Sequence, residues 1–199
     1  YTTLFRSMNA DEAEWDGSCT AVDKNDQKYF KSAFSDASMK RSDMDLVVFI
    51  RHRDRRIVFG KILNSKSKHS LTVPENLQKF FLRDDFLSKL RVPDQEQMGM
   101  LLQPEGALLI TARPILKSDG TGPSPGVLIM GRYLEMDQLA EQTHYKIAMQ
   151  RLDRLLMPMD FRQAQQQLLK GAIPFEQPLN EDFMAGYTML KDMDGNPAL

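Results

Sequence analysis

The segment from Met98 to Leu134, MGMLLQPEGALLITARPILKSDGTGPSPGVLIMGRYL, limits the fold more than any other, because it reads as three consecutive antiparallel strands. Leu108, Ile110 and Ala112 alternate with Leu109, Thr111 and Arg113, and Val127, Ile129, Gly131 and Tyr133 alternate with Leu128, Met130, Arg132 and Leu134. That period of two lets a pleated strand show different chemistry to its two faces. Pro104 suits the second position of a type I turn whose fourth is Gly106, since its ring presets φ. Asp119, Gly120, Gly122, Pro123, Pro125 and Gly126 form a wide loop that continues neither strand.

Upstream, Asp45 to Arg51 and Arg56 to Leu63 read as the two strands of a hairpin. Its connection, His52-Arg53-Asp54-Arg55, lacks the glycine such turns favour, so either a non-glycine residue takes positive φ or the loop uses another geometry. Between hairpin and triple strand the period turns helical. Pro74 fits the first turn of a helix carrying Leu77, Phe80 and Phe81, and Asp85 opens a second with Phe86, Leu87 and Leu90, stopped before Pro93. Two strands, two short helices and three strands give the order of a PAS-like antiparallel sheet with helices on one face, and such a concave space binds small molecules.

The first stretch, Thr3 to about Phe34, reads as broken helix. Asn9 or Asp11 caps a segment with Glu12, Glu14 and Trp15, Gly17 interrupts it, and a second segment holds Val22, Tyr29, Phe30 and Phe34. Past Leu134 a smaller α/β unit is expected, so that the boundaries fall at 1–134 and 135–199. It would hold a short helix at Met136 to His144, a strand at Lys146 to Leu152, a helix at Phe161 to Lys170 closed by Gly171, and strands at Ile173 to Leu179 and Phe183 to Lys191. Asp192 to Asn196 reads as a turn rather than a calcium loop, and the last strand is expected to be cut off after Leu199.

A net charge of −1 over 199 residues supplies no field that gathers nucleic acid, and the basic hairpin tip Arg51, His52, Arg53, Arg55 and Arg56 reads as solvated. The lone Cys19 excludes an internal disulfide and a cysteine-based zinc site. Nucleophile, phosphate-loop and metalloprotease motifs are absent, and no catalytic residues, metal or cofactor are expected. The residues that stand out are cations inside apolar strands. A buried guanidinium is costly unless paired, so Arg113 and Arg132 either reach solvent, meet a protein carboxylate, or capture an anionic ligand. Lys61 and Tyr133 qualify on the same grounds. Trp15 is either a core aromatic or the lid of a pocket, and with Tyr29 it completes the candidate ligand-binding set of Trp15, Tyr29, Lys61, Arg113, Arg132 and Tyr133.

The segments WDGSCTAVDKNDQKYFKSAF, DLVVFIRHRDRRIVFGKIL, LLQPEGALLITARPILKSDGTGPSPGVLIMGRYL and AGYTMLKDMDGNPAL, taken in this order, resemble the fourth class of CHASE domains. The likeness covers nearly the whole chain, and ARPILKSDGTGPSPGVLIMGRYL and GYTMLKDMDGNPAL are its most specific pieces. It implies a periplasmic or extracellular sensor with a Cache-like or PAS-like fold. Such a sensor is held by flanking membrane helices and feeds a histidine kinase, a diguanylate cyclase or phosphodiesterase, or a chemotaxis-type output. The family tends to carry an Asp-Gly type turn in the first hairpin, where this chain has Asp54-Arg55. The expected fold class is therefore α+β, a PAS/Cache-like antiparallel sheet with an N-terminal helix and short helices on one face, plus the smaller C-terminal unit. The expected role is non-enzymatic signal input from a small-molecule ligand, with no nucleic acid and with a homodimer as one arrangement. A ligand-independent scaffold or dimerisation module that answers to a protein partner is the alternative, which a large exposed apolar patch would favour.

Overall fold

A computed structural model of the chain describes residues 2–64, 66–67, 69–92, 95–119, 123–143, 145–154, 156–171, 174–181 and 183–199, with side chains for all of these but 2–6, 138, 142 and 143. It divides into two compact units, Tyr1–Leu134 and Glu135–Leu199.

The first unit opens with four helices, α1 (Thr2–Ala13), α2 (Asp16–Lys24), α3 (Gln27–Ala33) and α4 (Asp36–Arg41). The hairpin follows as β1 (Leu46–Arg51) and β2 (Arg56–Leu63), then a two-residue strand β3 (Ser70–Leu71). Two short helices, α5 (Glu75–Phe81) and α6 (Asp84–Leu87) with a 3-10 turn at Ser88–Leu90, lead into β4 (Gln97–Gln103), β5 (Gly106–Pro114) and β6 (Gly126–Tyr133). Among the described residues these strands form one antiparallel sheet in the order β3-β2-β1-β6-β5-β4. β3 extends the expected five strands to six. β6 sits between β1 and β5 and is buried at every position, which accounts for its unbroken VLIM run.

Register sorts the side chains into two faces. Val47 pairs with Met130 and with Lys61, Phe49 with Leu128 and Phe59, Thr111 with Met130, Leu109 with Arg132, and Arg113 with Leu128, so all of these share one face. That face packs under the N-terminal helices, where Ala13, Val22, Phe30, Phe34 and Met39 join Val47, Phe49, Leu128 and Met130 in one core. Phe30 lies 4.8 Å from Phe49 and stacks on Phe59 at 5.1 Å. The other face carries Leu46, Val48, Ile50, Leu108, Ile110, Ile129 and Tyr133, all buried, with Val73 seated against Gly60 and Leu77, Phe81, Phe86, Leu87 and Leu90 buried in the short helices.

Several local expectations change. Asn9 and Asp11 lie inside α1 and cap nothing. Asn9 is fully buried and its Nδ2 donates to the Thr111 carbonyl at 3.3 Å, a contact that tertiary packing supplies. Gly17 does not interrupt a helix but sits in the first turn of α2, and the break falls at Glu14-Trp15. The second segment divides at Asn25, whose φ of 58° ends α2, and Asp26, whose side chain caps α3 by accepting from Lys28 and Tyr29 amides. The hairpin tip resolves its missing glycine by placing Arg55 at φ 55°, while the Arg51 guanidinium grips Asp54 at 2.6 and 3.0 Å. That grip is the main reason the Asp54 carboxyl is lowered to about 2. Arg53 pairs with Asp23 and Arg55 with Asp84, so the basic tip is largely neutralised by carboxylates.

The second unit contains α7 (Met136–Thr143), α8 (Met159–Leu169) and a two-stranded ladder of β7 (Phe175–Pro178) and β8 (Met184–Tyr187). Gly171 takes φ 99° just past α8. Lys146 to Leu152 is not a strand. Among the described residues nothing pairs along it, and its Leu152 amide donates instead to the Ala198 carbonyl at 3.1 Å. The two later strands are shorter than expected, and Ile173 and His144 lie outside the described residues. Residues 197–199 fold back on 190–191, with Lys191 bridging Pro197, across a turn that Asp192 Oδ1 holds by accepting from the Asp194 and Asn196 amides.

Candidate functional site

α1 presents Met8, Asp11 and Glu12 on one side, the i, i+3, i+4 spacing of a single helical face. Trp15 follows beyond the helix end in extended conformation, and it lines the same space. It does so because of Gly17. A β-carbon there would stand 2.5 Å from the indole Nε1 and 3.1 Å from the Tyr29 ring, so only glycine lets the indole lie on the first turn of α2. The indole is 61% exposed, which overturns the core reading of Trp15 and puts it at the edge of a cavity.

Ala33 and Phe34, at the end of α3, and Ser38 and Met39 of α4 form the facing wall, with Ser42 and Met44 beyond it and Met130 of β6 as the floor. The cavity measures about 300 Å³. Lys61 fixes that wall, since its ammonium donates to the Phe34 carbonyl at 2.7 Å and to Asp36 Oδ1 at 2.9 Å across the α3–α4 junction. It positions the wall rather than lining the cavity.

Glu12 is held just as firmly. Its Oε1 accepts from the Ser18 hydroxyl at 2.6 Å and from the Tyr29 hydroxyl at 2.9 Å, and those two hydroxyls are 3.0 Å apart. Burial, reinforced by the negative charge of Glu12, pushes the Tyr29 phenol up to about 12 against the opposing pull of the Ser18 hydrogen bond. Tyr29 thus supports the cavity through Glu12.

The strand cations are not among the lining residues. Arg113 donates to Glu96 Oε2 at 3.1 Å while Glu96 Oε1 accepts from Thr111, and Arg132 pairs with Asp43. Both therefore meet protein carboxylates. Tyr133 lies on the opposite face of the sheet, 5% exposed, with its amide donating to Asp45 Oδ2 at 2.8 Å, and burial pushes its phenol up to about 12. Of the six sequence candidates the fold brings Trp15 to the cavity, sets Tyr29 and Lys61 behind its walls, and leaves Arg113, Arg132 and Tyr133 out of its lining. Other lining residues, among them Met8, Asp11, Glu12, Phe34, Met39 and Met130, were not candidates. Their only local signal is the 8, 11, 12, 15 spacing.

The two phenols predict an alkaline transition. An unfolded tyrosine releases its proton near pH 10 while native Tyr29 and Tyr133 keep theirs to about 12, so their contribution to stability is complete below pH 10 and is lost as pH rises between those values. Absorbance titration at alkaline pH should resolve late-ionising tyrosines, and Tyr29→Phe should remove one such step. Uniform ionisation of all tyrosines near 10 in the folded protein would contradict the assignment.

The model of the CHASE4 domain matches residues 3–150 of this chain. The methanogenesis regulatory histidine kinase FilI of Methanothrix harundinacea (strain 6Ac) is 26% identical over 114 residues, 57% of this chain and 12% of that protein. The chain thus corresponds to a small part of that relative's length. Among solved structures, the crystal structure of the periplasmic domain of Vibrio cholerae LuxQ is similar in fold, with a TM-score of 0.54, 12% identity, and coverage of 98% of this chain and 88% of that one. Among the described residues no helix is long and apolar enough to cross a membrane.

Proposed function

Because this chain belongs to the CHASE4 domain family of sensor modules, we propose that it is the extracytoplasmic, ligand-sensing input of a transmembrane receptor. The receptor is a sensor histidine kinase or a diguanylate cyclase or phosphodiesterase, and the domain itself is not catalytic. The matched histidine kinase and the periplasmic LuxQ domain support this placement. The observation that carries ligand sensing is the cavity beside α1, whose residues Met8, Asp11 and Glu12 form one wall while α3 and α4 form the other. A molecule that fits one spacing of these helices better than another shifts the population between them, and a coupling of about 1 to 3 kcal/mol changes that equilibrium roughly 5- to 150-fold.

Ala33→Trp tests the reading, because Ala33 is an exposed lining residue at the end of a helix and a bulky side chain there occupies the cavity without disturbing the core. In a thermal-shift screen of a metabolite panel, at least one compound should raise the melting temperature of the wild-type chain and leave Ala33→Trp unmoved. Hits that persist in the filled variant, or a panel without hits, would count against the cavity. A second reading, input from a protein partner, is favoured by Leu156, Met159, Phe183 and Met184 of the second unit, each more than half exposed. It gains if mixed or dimeric species form while no small molecule registers.

A further inference from the structure

Among the described residues, the only charged side chains that line the cavity are Asp11 and Glu12, both acids, and neither forms an ion pair. The groups that hold Glu12 are the neutral hydroxyls of Ser18 and Tyr29, which fix the carboxylate in place and leave its charge uncompensated. The three cations of the candidate set are paired with protein carboxylates: Lys61 with Asp36, Arg113 with Glu96 and Arg132 with Asp43. Around the acids stand an aromatic edge, Trp15 and Phe34, and the thioethers of Met8, Met39 and Met130.

From this geometry we infer that the cavity binds an amphipathic organic cation, a primary amine or quaternary ammonium with an apolar body. The inference rests on the sensor reading above and names its ligand class. An ammonium group gains from aromatic rings and from carboxylates together, and one of the two carboxylates, Glu12, is held in place by two hydroxyls. Methionine side chains mould to an irregular apolar body, so the floor accepts a family of shapes while the acids select the charge. An anion would meet two carboxylates and, among the described lining residues, no cation.

Three probes of similar size separate charge from shape: benzyltrimethylammonium, benzyl alcohol and phenylacetate. Trp15 is the single tryptophan of the chain, so its fluorescence reports occupancy directly, with calorimetry giving the affinity. Benzyltrimethylammonium should bind about tenfold or more tighter than benzyl alcohol, and phenylacetate should bind weakest. Glu12→Gln should cost the cation about tenfold and leave the alcohol unchanged. Asp11→Asn, at an exposed position, should weaken the cation several-fold with the melting temperature intact, which keeps the test decisive if Glu12→Gln folds poorly. Equal binding of cation and alcohol, or preference for phenylacetate, overturns the cation assignment, yet leaves the sensor cavity standing if Ala33→Trp blocks that binding. Failure of all three probes also overturns it, and a metabolite panel without hits then removes the cavity reading as well.

Discussion

Gly126→Ala is expected to cost the first unit about 3 kcal/mol or more, at or beyond the upper end of what overpacking costs. Gly126 opens β6 opposite Arg51 of β1. A β-carbon there would fall on the Ile50 carbonyl oxygen, well inside van der Waals contact, and would also stand 3.0 Å from Val22 Cγ1. The clashing partner is backbone in the neighbouring central strand, so no side-chain rotation relieves it, and α2 presses from above. For a domain of this size the melting temperature should fall by roughly 10 °C. Gly186 provides the control, since a β-carbon there meets nothing within 4 Å and Gly186→Ala should be near neutral. Trp15 lies in the first unit, so unfolding followed by its fluorescence reports on that unit. A Gly126→Ala protein that melts with the wild type would show that β1 and β6 can separate without penalty, which the sheet order does not allow.

Phe30→Ala should be at least as damaging, about 3 to 5 kcal/mol, the range seen when a fully buried phenylalanine is removed. Phe30 has no exposed surface and is in ring contact with Tyr29, Phe49 and Phe59, which joins α3 to β1 and β2 at once. Its loss leaves a void that the rigid sheet cannot close. α3 also carries Ala33 and ends at Phe34, so the variant should lose cavity binding in proportion to its loss of structure. Phe30→Leu, which keeps most of the volume, should cost under about 1.5 kcal/mol. Urea unfolding of the three proteins checks the series, and a Phe30→Ala midpoint within error of wild type would refute the central place given to this cluster.

Much of the fold was legible because its signals are local. Alternation along Leu108–Arg113 and Val127–Leu134 sets strands wherever they pair, and Pro104 with Gly106 closes a two-residue connection whichever sheet it joins. Lys146 to Leu152 shows where that logic stops. It has the composition of a strand, but strand structure needs a neighbour to complete its hydrogen bonds, and among the described residues none lies alongside.

The site was less legible, for the same physical reason. Arg113 and Arg132 posed a choice between solvent, a protein carboxylate and an anionic ligand, because a buried guanidinium is costly unless paired; that Glu96 and Asp43 meet them depended on residues remote in sequence. Gly126 looked like loop punctuation, though what requires glycine is the approach of Ile50 across the sheet. Glu12 read only as one residue of a capped helical segment until Ser18 and Tyr29 converged on it. The sequence alone determined the hairpin, the two short helices after it and the triple strand, together with the cost of burying an unpaired guanidinium, since backbone periodicity and desolvation act on each residue where it stands. Only the tertiary structure decided which face holds a cavity and which sign of charge lines it, because a cavity is made of gaps between elements that meet only in space.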